Sequence, residues 1–129
     1  MDILIKFGFT IEEIKNIMDS NIDFENLNDN NINELINILL DYGCTNDIIK
    51  NIFITNPFIF NQNNNDIFEI INFFKKIGND DLVFIFNSNP YLFNVKYKTL
   101  DDTYKKLISI GYSKEDIIDY FYYDCKEVI

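Results

Sequence analysis

Apolar residues along this chain recur at helical spacing, with polar residues filling the opposite side of each turn. From Asn31 onward Ile32, Leu35, Ile36, Leu39 and Leu40 follow a 3.6-residue period, which predicts a helix that Gly43 ends. Thr45 then reads as the cap of a second helix carrying Ile49 and Ile52. Asn56-Pro57 stops it, because proline pushes the residue before it out of the helical region. Phe58, Ile59 and Phe60 are expected to drop into the groove beneath.

The pattern of Tyr42 to Asn61 is repeated along the chain. Gly8, Gly43, Gly78 and Gly111 are its only glycines and lie 35, 35 and 33 residues apart. Pro57 and Pro90 keep the same register, within Asn56-Pro57-Phe58-Ile59-Phe60-Asn61 and Asn89-Pro90-Tyr91-Leu92-Phe93-Asn94. Ile14-Lys15-Asn16-Ile17 reappears letter for letter as Ile49-Lys50-Asn51-Ile52. A period of this length marks stacked supersecondary units.

The remaining units follow the same reading. Ile3 to Phe7 is the tail of a helix closed by Gly8. Thr10 with Glu13 has capping-box spacing and opens a helix whose buried stripe is Ile11, Ile14, Ile17 and Met18. Residues 21–30 form a connector, and Asn31 with Glu34 starts the next helix. Asn61 to Asn65 is a polar connector, after which Asp66 begins a helix bearing Ile67, Ile70, Ile71, Phe74 and Ile77. Asn79 or Asp80 caps a shorter helix with Leu82, Ile85 and Phe86. Thr99 and Asp102 form a capping pair ahead of Leu100, Tyr104, Leu107, Ile108 and Ile110. Ser113 with Asp116 then caps a last helix bearing Ile117, Ile118 and Phe121. Cys125 stands where earlier units have proline, the kind of departure terminal units make.

Composition narrows the function. With 129 residues and 47% apolar content the chain suffices for a packed core. Twenty Asn and 24 Ile beside no Ala, Arg, His or Trp read as the imprint of an AT-rich genome, that of a low-GC bacterium, its phage or another AT-rich source. The net charge of −10 opposes phosphate binding, which needs clustered cations. Cys44 and Cys125 make neither a disulfide framework nor a metal spacing, and no signal peptide or membrane span is read. A cytoplasmic location with reduced thiols is expected.

The recurring unit is an Ile/Leu-rich helix ending in Gly, a Ser/Thr-capped second helix, then Asn-Pro-aromatic-Leu/Ile-Phe. It resembles the repeat of the mitochondrial transcription termination factor (mTERF) family, carried here by Gly43, Pro57, Gly78 and Pro90. That resemblance implies an all-α, right-handed solenoid of short helical hairpins, about three and a half repeats. They form one domain over residues 1–129, with units near 1–30, 31–65, 66–98 and 99–129. It also implies a concave side that holds double-stranded nucleic acid. Lys96, Lys98, Lys105 and Lys106 are the densest cationic cluster available for that role, with Asp101 and Asp102 interleaved.

Catalytic motifs are missing. Without His there is no Ser–His or Cys–His pair, and neither Walker A nor EF-hand spacing is present. Glu115, Asp116 and Asp119 share one helix and could seat a hard cation, but carboxylates in a first turn read as dipole and cap partners. No cofactor or metal is expected. Phe58, Phe60, Tyr91 and Phe93 recur at equivalent places and read as core between repeats. At the C-terminus Tyr120 and Tyr123, with Asp116, Asp119 and Asp124 nearby, form an acidic-aromatic surface and the candidate contact for a protein partner. The expectation is a non-catalytic binding module acting on a protein, such as an acidic inhibitor or nucleic-acid decoy. The alternative is an mTERF-like nucleic-acid binder, and the oligomeric state is left open.

Overall fold

The computed structural model describes residues 2–20, 28–78 and 83–124. These residues contain no β-strand and form eight α-helices: α1 (Asp2–Phe7), α2 (Ile11–Met18), α3 (Asp29–Tyr42), α4 (Asn46–Thr55), α5 (Asn64–Ile77), α6 (Val83–Ser88), α7 (Tyr97–Ser109) and α8 (Lys114–Asp119). Short 3₁₀ turns, Pro57–Asn61 and Pro90–Asn94, follow α4 and α6, and a π turn, Tyr120–Asp124, follows α8. The chain divides into two compact units, Met1–Asn64 and Asn65–Ile129.

Glycine ends three of the helices by one mechanism. Gly8, Gly43 and Gly111 have φ of +117°, +109° and +97°, a region that an L side chain resists. That turn lets the amide of the next residue reach back five positions. Phe9 donates to the Leu4 carbonyl, Cys44 to Leu39 and Tyr112 to Leu107, each at 3.0 Å. The glycine amides donate to Ile5, Leu40 and Ile108 at 3.0–3.1 Å, completing a Schellman motif each time. The Gly78 amide donates to the Phe74 carbonyl at 3.1 Å as α5 closes. The expected caps at Asn79 or Asp80, together with Leu82, residues 21–27 of the expected 21–30 connector, and Cys125, lie outside the described residues.

Side-chain caps start the following helices. Thr10 and Glu13 satisfy each other's amides at 2.8 and 3.0 Å, and Ser113 and Asp116 do so at 3.3 and 3.1 Å. Thr45 Oγ1 accepts from the Ile48 amide at 3.3 Å. Three starts differ from the sequence expectation. Helix α3 begins a turn before Asn31 could cap it, because Asn28 accepts from the Asn31 amide at 2.9 Å. Thr99 and Asp102 lie inside α7, whose cap position is Lys96 without a side-chain bond. The preceding 3₁₀ turn and buried Val95 bring the chain into the helix before Thr99 is reached. Helix α5 likewise takes in Asn64 and Asn65, shortening the Asn61 to Asn65 connector.

In the first unit α1 lies beside α3 and α2 beside α4, so the second hairpin stacks on the first. Leu4, Ile17, Leu39, Ile49, Ile52 and Phe53 fill the space between them. Each such side chain removed from water contributes about 1.5–3 kcal/mol. In the second unit the centre is aromatic. Phe74 meets Phe86 and Phe121 edge-on at 5.2 and 5.3 Å, and Phe86 stacks on Phe93 at 4.3 Å.

Several residues expected in the buried stripe are exposed: Ile11, Leu40, Ile108 and Ile110. For Leu40 and Ile108 the cause is the Schellman turn. It buries the residue four before glycine (Leu39, Leu107), and a helix rotates the next residue by about 100° toward solvent.

Candidate interaction surfaces

Of the C-terminal acidic-aromatic surface, Asp116, Asp119 and Tyr120 lie among the described side chains. Asp116 uses its carboxylate to cap α8, as its first-turn position predicted. Asp119 is exposed at the end of α8. Tyr120 is half-buried and packs edge-on against Phe121 at 5.5 Å, while Phe121 itself is fully buried against Phe73 and Phe74. The side chains of Tyr123 and Asp124 lie outside those described. Among the described residues no group of three His, Cys, Asp or Glu is placed to hold a metal ion, Glu115, Asp116 and Asp119 included.

The four candidate lysines sit on α7 or at its cap position, and all are exposed. Lys98, Asp101, Asp102 and Lys105 fall on one side of the helix at spacings of three, four and seven. Lys105 Nζ lies 2.9 Å from Asp101 Oδ2, and the hydrogen bond to that carboxylate raises the lysine pKa. The stripe is therefore a lattice of both signs, with one lysine held by its neighbour on the helix.

The recurrent 3₁₀ turns present aromatic rings to solvent. Phe60 and Phe93 are core, as expected, but Phe58 and Tyr91 are 48% and 44% exposed, contrary to their reading as core. A three-residue turn sends two of its three apolar side chains inward, here Ile59 with Phe60 and Leu92 with Phe93. The third is left outside at the same register in both units. Phe68, Phe84 and Ile54 add further exposed apolar area, with Phe84 tilted against Tyr122 at 5.3 Å.

A polar site that periodicity does not single out lies between the first two hairpins. Lys50 of α4 reaches the turn closing α1: its Nζ is 3.2 Å from the Gly8 carbonyl, 3.4 Å from Glu13 Oε1 and 5.5 Å from the Phe9 ring centroid. Phe9 also stacks on Phe53 at 5.9 Å. The Thr10 amide, with smaller help from Lys50, holds the Glu13 carboxyl below its usual pKa. The exact copy of Ile14–Ile17 in Ile49–Ile52 was the available signal, since it places two lysines at one register. Cys44, buried beside the second turn, has its thiol pKa pushed up to about 11 by burial, so it stays protonated near neutrality.

No described helix is long and apolar enough to cross a membrane. The model of the mTERF family matches residues 1–129, the whole chain. No curated protein and no solved structure matches.

Proposed function

The chain belongs to the mTERF family, and from that premise we propose that it is a non-catalytic helical-repeat module that acts by holding a protein partner. The observation that carries this reading is the presence, on a strongly acidic chain, of apolar side chains left outside at a repeated register. Phe58 and Tyr91 occupy that register in the two units, on a chain of net charge −10. Aromatic rings desolvate well against another protein and contribute most at the centre of such contacts. An acidic surface repels phosphate and suits a basic protein surface, including one built for nucleic acid.

A second reading is nucleic-acid binding. Family membership and the exposed α7 lysines Lys96, Lys98, Lys105 and Lys106 favour it. Mobility shift with duplex DNA and RNA across a salt series separates the two. The protein reading expects no shift even at about 50 mM salt, where phosphate contacts are strongest. A shift that fades steeply with salt and is lost on joint Lys98→Glu, Lys105→Glu and Lys106→Glu substitution would establish the second reading instead. A partner protein captured by the wild-type chain should be lost with Phe58→Asp and Tyr91→Asp, and retained if those rings play no part.

A further inference from the structure

The site that Lys50 fills on the first hairpin is built a second time on the last one. In the first hairpin it consists of the left-handed Gly8 carbonyl, the Phe9 ring and the capping carboxylate of Glu13. Counted from the glycines, the last hairpin offers Gly111, Tyr112 and Asp116. Gly111 has the same left-handed backbone, Tyr112 donates the same five-residue bond as Phe9, and Asp116 caps Ser113 as Glu13 caps Thr10. The first copy is covered, with Phe9 buried under Phe53 and Lys50. The second is open: Tyr112 is 39% exposed and Ile110 61%, although the matching Cys44, Tyr42 and Ile77 are all buried.

The group that would fill it also occurs twice. Lys50 and Phe53 meet the first hairpin from α4, and their counterparts on α2 are Lys15 and Met18, since Ile14-Lys15-Asn16-Ile17 and Ile49-Lys50-Asn51-Ile52 are identical. Lys15 is exposed and Met18 half-exposed. We infer that α2 of one molecule docks on the last hairpin of a second copy, placing Lys15 between the Gly111 carbonyl, the Tyr112 ring and Asp116. This contact continues between molecules the stacking already present between the first two hairpins. It joins two different surfaces, one on each unit, so it can propagate head to tail into a chain or close into a ring.

Sedimentation velocity of the full-length protein over a concentration series tests this. The wild type should gain mass with concentration. Lys15→Glu removes the inserting cation at an exposed position, and Tyr112→Asp spoils the receiving ring while leaving the Ser113–Asp116 cap intact. Each variant alone should stay monomeric, with association weakened on the order of tenfold or more. Mixed one to one they should form a heterodimer and nothing larger, because each retains one working surface. Circular dichroism verifies that both variants fold. A wild type that stays monomeric at every concentration, a Lys15→Glu protein that assembles like the wild type, or an equimolar mixture without heterodimer would each overturn the inference.

Discussion

The two halves of the chain use one punctuation and two kinds of adhesive. In Met1–Asn64 the second hairpin is fastened to the first by mostly aliphatic packing, a Phe9–Phe53 stack and a lysine that reaches across 42 residues of sequence to a glycine carbonyl. In Asn65–Ile129 a cluster of rings centred on Phe74 and Phe121 takes that place. Their charge differs too: the first unit has ten acids and three lysines, the second eleven acids and eight lysines. Glycine and proline set where the backbone turns, and what lies between the turns is free to vary provided it buries. Most of the lysines that could meet a phosphate backbone therefore lie in the second unit.

The sharpest way to break this contrast is to empty the aromatic centre. Phe74→Ala should cost about 3–5 kcal/mol, read from the urea midpoint, because the fully buried ring leaves a cavity among Phe73, Phe86 and Phe121. Hydrogen exchange should show protection falling first in α5 to α8. Equal loss in α1 to α4 would mean that the units do not differ in what holds them.

Next in size come the turns. A Cβ built at Gly8 or Gly111 meets nothing within 4 Å, so Gly8→Ala and Gly111→Ala isolate the backbone cost of positive φ. Each should lose about 1–2 kcal/mol in thermal unfolding. Markedly unequal losses would show that the turns are not equivalent.

Lys50→Met should lower the melting temperature of the first unit by less, since the pair is partly solvated. The pH dependence has a definite sign. A depressed Glu13 pKa contributes stability that is present above the usual carboxylate range and lost as pH falls through its folded value. The difference between Lys50→Met and wild type should therefore shrink in acid. A constant difference would assign the effect to lost packing alone. Smallest of all is Lys105→Met: its exposed pair with Asp101 lies within one helix, and the unfolding midpoint should not move measurably.

Much of the fold was legible in the sequence because its rules are local. Gly8, Gly43 and Gly111 end helices through their own φ, and Pro57 and Pro90 follow them by excluding the helical region for the preceding asparagine. Thr10, Thr45 and Ser113 cap with groups three residues away. Reading failed where a competing neighbour decided the outcome: Asn28 took the cap expected of Asn31, and Val95 carried the chain into α7 ahead of Thr99. The candidate surfaces were less legible still. Asp116 was correctly placed as a cap, but the outward turn of Phe58 and Tyr91 depends on which side of a 3₁₀ turn faces the core.

By itself, then, the sequence determined the helical period and the turns, which follow from residues within five positions of one another, and the repeat, which is that local pattern returning every 33 to 35 residues. Only the tertiary structure decided which apolar side chains stay in water and that Lys50 closes over Gly8, Phe9 and Glu13. Those outcomes depend on surfaces brought together from distant parts of the chain, where burial and charge pairing are settled by neighbours that no local window contains.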